Sequence, residues 1–170
     1  MAVLLFEIGA VVFEVVAEGI SLQDGHVIGR YFARFQQQQR PTRLVLVEAR
    51  RTKAPDAATR RAMIDGAKSQ GKAVEKALSA VALDSALLRG TLTAISWFYE
   101  GDAILRPFAN MKAGCEFLMK ESRSAQEVPK EALEIAMALD ELYDEHRSPL
   151  EVQTRPTFVA HAKNVTLHGL

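Results

Sequence analysis

Asp84-Ser85 is the pairing in this 170-residue chain that most invites a nucleophile reading. A serine nucleophile needs a positioned base and donors for the developing oxyanion. The four histidines, His26, His146, His161 and His168, stand at no spacing that supplies a base. His161 and His168, seven residues apart, do not form a metal-ligand signature either. Serine and aspartate are also preferred residues at helix starts, so Asp84-Ser85 reads first as an N-cap. Cys115, the single cysteine, falls on a helical face among apolar residues and reads as a buried apolar side chain. One cysteine excludes an intrachain disulfide and fits a reducing compartment. Gly66 and Gly71 lack the strand–loop–helix setting of a phosphate loop. No catalytic residue, metal or cofactor is expected, and an enzyme using Asp84 and Ser85 is the least favoured of three function classes.

Binding chemistry has better candidates. Leu44-Val45-Leu46-Val47-Glu48-Ala49 reads as a buried central strand, and Arg50, Arg51 and Lys53 follow it at once. In a parallel α/β sheet the carboxyl ends of the strands share one edge, where ligands usually bind. That edge should gather Arg50, Arg51 and Lys53, the helix start at Asp84-Ser85, and Asn110. Cations beside helix N-termini favour an anion such as phosphate. A second candidate is the helix face Ala86, Gly90, Thr93 and Trp97, opposite a core stripe of Leu88, Leu92, Ile95 and Tyr99. Either a neighbouring helix packs there, or Gly90, Thr93 and Trp97 meet a partner, since an accessible tryptophan is a frequent anchor.

The elements that position these residues follow from periodicity. Val3 to Ile8 and Val11 to Ala17 form two strands joined at Gly9-Ala10, a gap that suits a type II′ hairpin. Glu14 and Glu18 leave the second strand a polar face, as an edge hairpin would. Leu22 to Gln39 reads as a helix capped by Ser21, with Val27, Ile28, Tyr31, Phe32 and Phe35 as its stripe. A second helix runs from Asp56 to about Gln70. Ala77 to Leu83 is another strand, and a third helix spans Asp84 to about Glu100. Ala103 to Phe108 is a short strand. Asn110 caps a fourth helix, Met111 to Glu121, packed through Met111, Cys115, Leu118 and Met119. A fifth helix, Pro129 to His146, carries Leu133, Ile135, Leu139, Leu142 and Tyr143 as apolar residues. Thr157 to Leu167 alternates weakly and suggests one added strand. The reading is therefore an α/β mixed sheet in the order β-β-α-β-α-β-α-β-α over residues 1–121. A C-terminal extension over 122–170 supplies an extra acidic amphipathic helix and a tail.

Composition is that of an ordinary globular domain, 48% hydrophobic and 25% charged. The formal net charge of zero hides an asymmetry. Arg30 to Lys76 holds 12 basic and 4 acidic residues, a net +8, whereas Pro129 to His146 holds 6 acidic residues against Lys130, a net −5. Such a split marks either an anionic partner or two segments that dock on each other, and docking is slightly favoured. No nucleic-acid partner is expected. No stretch approaches the roughly 18 uncharged apolar residues of a membrane span. The apolar run from Met1 lacks a preceding basic residue and is broken by Glu7 and Glu14, unlike a signal peptide. A cytoplasmic location is expected.

The order from Val3 to Glu121 resembles the STAS fold of anti-sigma-factor antagonists, and within it the bacterial STAS/SEC14-like, SpoIIAA-like group. The residues that carry the likeness are the hairpin with Gly9, the strand Leu44–Ala49, and above all Ala80-Val81-Ala82-Leu83-Asp84-Ser85-Ala86-Leu87-Leu88-Arg89-Gly90 running into Thr93-Ala94-Ile95-Ser96-Trp97-Phe98. Arg106-Pro107-Phe108 and the helix after it complete the pattern. In the antagonists a phosphorylatable serine opens the helix after the central strand. Here Lys53-Ala54-Pro55-Asp56-Ala57-Ala58-Thr59 has no such serine, so the likeness does not extend to the phospho-switch. The resemblance implies a non-enzymatic interaction or regulatory module that binds a protein partner or itself. The SEC14 side of the likeness implies the alternative, a carrier or sensor of a lipid or other apolar ligand.

Overall fold

Val3–Ile8 (β1) and Val11–Val16 (β2) form an antiparallel hairpin in which every residue is buried. Of Gly9 and Ala10 only Gly9 takes a positive φ, 60°, as a type II′ turn requires of its first central residue. The computed structural model describes residues 2–36, 43–53, 56–59, 61–62, 77–86, 88–89, 103–122 and 128–169, with 32–36, 43, 77 and 103 in backbone only. Successive side chains of the hairpin alternate between two apolar layers. Leu4, Phe6, Ile8, Val11, Phe13 and Val15 enter one core, and Val3, Leu5, Val12 and Val16 enter another on the opposite face.

Helix α1 (Leu22–Gln36) covers the second layer through Val27, Ile28 and Tyr31. Ser21 opens it as expected: Asp24 N donates to Ser21 Oγ at 3.2 Å, and Ser21 N returns a bond to Asp24 Oδ2 at 2.8 Å. The chain then enters β3 (Arg43–Glu48), parallel to β2, followed by β4 (Ala77–Ala82) and β5 (Ala103–Phe108), each parallel to the strand before it. Residues 57–59 and 61–62 after β3, and 86, 88 and 89 after β4, are helical. The rest of the expected second and third helices lies outside the described residues, as do the side chains of Phe32 and Phe35.

After β5 the chain covers the first layer. Helix α2 (Met111–Glu121) lies on β3, β4 and β5 and buries Met111, Gly114, Cys115 and Leu118. Met119, expected inside, is 37% exposed. Helix α3 (Lys130–Asp144) packs beside α2 and buries Ala132, Ile135, Ala136, Leu139 and Leu142. A 3-10 helix (Pro149–Thr154) and helix α4 (Pro156–His161) follow, and Phe158 of α4 meets the ring of Phe6 edge-on at 4.8 Å.

Two expectations need correction here. Residues 157–167 are not one strand. Pro156 at the first helical position starts α4, and only Lys163–His168 (β6) is extended. Nor is the hairpin an edge. β6 pairs antiparallel with β1, and β3 pairs parallel with β2, giving the order β5-β4-β3-β2-β1-β6; β1 and β2 are therefore both interior, and Glu14 on β2 is buried. The division at residue 121 does not coincide with a packing boundary. Val128, Ala132, Ile135, Leu139, Leu142, Val152 and Phe158 share one core with Phe6, Phe13, Leu46 and Leu78.

Two consequences can be measured. Where α2 crosses the sheet, a Cβ on Gly114 would lie 2.9 Å from Leu46 Cδ1 and 3.2 Å from Ala80 Cβ. A branched side chain has no room there, so Gly114→Val should cost roughly 2–3 kcal/mol by urea denaturation. An unchanged midpoint would place α2 further from the sheet.

Glu14 sits among apolar side chains, and burial pushes its carboxyl from 4.5 up to about 7. The folded state therefore holds this proton more tightly than the unfolded chain. The associated stability is complete below about pH 4.5 and is lost as the pH rises to about 7, a change of about 3 kcal/mol. Glu14→Gln should remove that slope. Relative to the variant, wild type should lose melting temperature between about pH 5 and pH 8, and superimposable profiles would refute the buried carboxyl.

Candidate functional site

The carboxyl ends of the parallel strands hold the charged residues singled out from the sequence. Glu48 follows Leu44 and Leu46 at a spacing of two, so its carboxylate enters the same layer and lies under α3. A charge there requires a partner. Arg50 supplies it: its Nε lies 3.0 Å from both carboxylate oxygens of Glu48, its Nη2 contacts Oε2, and its backbone N–H donates to Oε1 at 3.0 Å. The guanidinium also reaches α3, pairing with Asp140 Oδ1 at 2.8 Å and donating to the Leu139 carbonyl at 3.3 Å.

Asp140 joins this pair to α2. Its Oδ1 accepts from Met111 N and its Oδ2 from Lys112 N, both at 2.9 Å. These are backbone donors of the first turn of α2, where a helix presents N–H groups and positive potential. Asn110 caps the same turn by accepting from Ala113 N at 2.8 Å, as expected. The anion expected between cations and a helix N-terminus is thus provided by the chain itself.

Arg51 holds the C-terminus of α3, just beyond Asp140. Arg147 N donates to Leu142 O at 2.8 Å and His146 N to Tyr143 O at 3.1 Å, with His146 left-handed at φ 56°, which is a Schellman ending. Arg51 donates to the same helix-end carbonyls, Leu142 O at 3.3 Å and Tyr143 O at 3.0 Å, and to Arg147 O at 2.5 Å. Its charge meets the negative end of the helix dipole. The Tyr143 ring lies 4.1 Å from the Arg50 guanidinium and 5.3 Å from that of Arg51.

The charges respond to this enclosure. Burial raises the Glu48 carboxyl above its ordinary range, although Arg50 works against it. Burial alone would lower Arg50, but the hydrogen bonds and charge of Glu48, with Asp140, raise it instead. Partial burial, then the hydrogen bond and charge of Asp84, raise the Tyr143 phenol.

The remaining candidates divide. Asp84 is exposed and reaches Tyr143, while Ser85 Oγ accepts from Leu88 N at 3.4 Å as a cap. Lys53 is exposed and takes no part in the cluster described here. Gly90, Thr93 and Trp97 lie outside the described residues. Burial, with a smaller contribution from Glu116, pushes the Cys115 thiol up to about 12, which leaves it a poor nucleophile. Among the described residues no group of three or more His, Cys, Asp or Glu is placed to hold a metal ion. Among the same residues no helix is long and apolar enough to cross a membrane.

Glu48, Asp140 and Tyr143 complete the cluster, and the sequence reading did not assign them. Glu48 had a signal, since it continues the inward alternation of an apolar strand. Asp140 had a weaker one, a carboxylate beside the buried Leu139. A shallow groove of about 290 Å³ lies outside the cluster, between α3 and α4, around Met137 and Pro156. Its rim is closed by Thr157 donating to Glu134 at 2.9 Å and by Arg155 pairing with Glu141 at 3.2 Å. Comparison with known protein families, curated proteins and solved structures gave no match.

Asp140→Ala should cost about 3 kcal/mol, because it strips one of two carboxylates from buried Arg50 and the acceptor from two N–H groups of α2. Formate, the size of the missing carboxylate, should restore part of that loss and leave wild type unmoved. Equal shifts in both proteins would show that no anion position exists between Arg50 and α2.

Proposed function

We propose that this protein is a non-catalytic interaction or regulatory module of STAS-like type. One observation carries the reading: the crevice at the carboxyl ends of the parallel strands is filled from within. In open α/β sheets that crevice is where substrates and cofactors bind. Here the end of α3 occupies it through Asp140, Tyr143 and the carbonyls held by Arg51. The cluster's charges are spent on each other, and the surface beyond them is left to make contacts. The order β-β-α-β, continued by parallel β4 and β5, agrees with the STAS-like reading. For the carrier alternative, the groove beside Met137 among the described residues is about 290 Å³, just under the roughly 300–1,000 Å³ usual for ligand pockets.

Native mass spectrometry of the protein isolated from its own cells tests this. A complex with a protein at fixed stoichiometry, or with itself, is the expected result. A chain that carries a lipid or other small-molecule mass and no protein overturns the reading in favour of the carrier.

A further inference from the structure

We propose that β6 is a pairing edge and that its occupant is β6 of a second copy of this chain. The inference deepens the self-association arm of the functional reading above, though its observations come from the sheet alone, and a module that binds only a different protein would survive its failure. β6 is the outermost strand of the order β5-β4-β3-β2-β1-β6. An outer strand offers a row of backbone donors and acceptors, which proteins normally blunt with proline, charge or a bulge. The opposite edge, β5, is blunted: Pro107 lacks an N–H and Arg106 is exposed. On β6 the comparable devices stop early. Lys163 begins the strand, and Asn164, left-handed at φ 51°, sits in the register shift against β1. From Val165 to His168 no proline or acidic residue follows.

This clear stretch is also apolar on one face. Leu167 lies opposite Leu4, so it points toward the layer that contains Leu4 and Phe6, and Val165 shares that face. Both lie beyond the cover that α3 and α4 give the rest of the layer, Val165 46% and Leu167 37% exposed. On the same side of the sheet, Val159 of α4 is 74% exposed.

Symmetry selects the occupant. Two copies of one strand pair antiparallel about a two-fold axis perpendicular to the sheet, which keeps like faces on the same side. Centring the axis on Thr166 sets Val165 of each copy against Leu167 of the other. A shift of one residue either way sets Leu167 against Lys163 or Val165 against Gly169. The Thr166 register alone matches apolar with apolar at both positions. No like charges meet at its centre, and His168 is engaged by Asp24 of its own copy at 2.9 Å. The formal net charge of zero adds no long-range repulsion between copies. β6 is held rigidly for this role, with Asn164 Nδ2 donating to Glu7 at 2.8 Å and His168 fixed on α1. A strand-edge contact is small beside the roughly 1,200–2,000 Å² of a stable interface, so the dimer is reversible and concentration-dependent.

Sedimentation velocity over a concentration series, with thermal melts as the fold control, decides the matter. Wild type should show a monomer–dimer equilibrium. Val165→Lys alone and Leu167→Glu alone should each weaken it by at least about tenfold. A mixture of the two variants should form a heterodimer, because the register sets the new lysine opposite the new glutamate and leaves the second Leu167–Val165 pair intact. Variants that failed to fold could not give that recovery. A wild type that stays monomeric, a dimer indifferent to Val165→Lys, or a mixture that does not pair would each overturn the proposal.

Discussion

A guanidinium only 6% exposed must be neutralised where it lies, and Arg50 is neutralised by two carboxylates from different parts of the chain. Glu48 comes from its own strand, and Asp140 comes from α3, some 90 residues on. Desolvating three charges is expensive, and removing any one leaves the others exposed to that expense. The cluster therefore specifies position more than it adds net stability. It sets α3 against the end of β3, and through the backbone donors accepted by Asp140 it sets α2 against α3. The burial of Ile135, Leu139 and Leu142 provides the driving force for that docking, and the ions fix its register.

The same cluster takes up part of the uneven charge along the chain. A basic stretch after β3 and an acidic helix near residue 140 suggest an external anion as readily as internal docking. In the structure Arg50 and Arg51, the basic residues that end β3, both turn to α3. One takes a side-chain carboxylate and the other takes helix-end carbonyls. The two arginines thus serve one helix by different chemistry. Arg50 matches a formal charge in a dry setting, and Arg51 matches the partial charges of a helix terminus at the surface.

Local signals were legible in the sequence because local physics decides them. The hairpin at Gly9, the caps at Ser21 and Asn110, and the strands beginning at Val3, Val11, Ala77 and Ala103 each follow from a turn preference, a capping side chain or an apolar run. What was not legible depends on pairings remote in sequence. Glu14 looked like the polar face of an edge strand, because nothing in its neighbourhood announces that β3 will pair beside β2 and that α1 will cover the Leu5–Val12–Val16 face. Asp140 looked like one more acid on an amphipathic helix, because its role is defined by Arg50 and the start of α2. The stretch from Pro156 held two elements within a dozen residues, α4 and β6, and its weak alternation could not separate them. Of the candidate site, the residue types were readable and their mutual satisfaction was not.

The pairing of Val3 with His168 has a bearing on how the chain comes to be folded. β1 leaves the ribosome ahead of every other strand of this sheet, and β6 follows about 160 residues later. At roughly 5–20 residues per second, the outer side of β1 waits some 8–32 s for its neighbour. During that interval Val3-Leu4-Leu5-Phe6 presents a wholly apolar strand with an open backbone edge. A nascent chain stalled before residue 163 would be a sticky one, and a natural client for chaperones. Closing so long a loop also delays the final contact, so the sheet can grow from β2 outward through its parallel neighbours before its first strand is sealed.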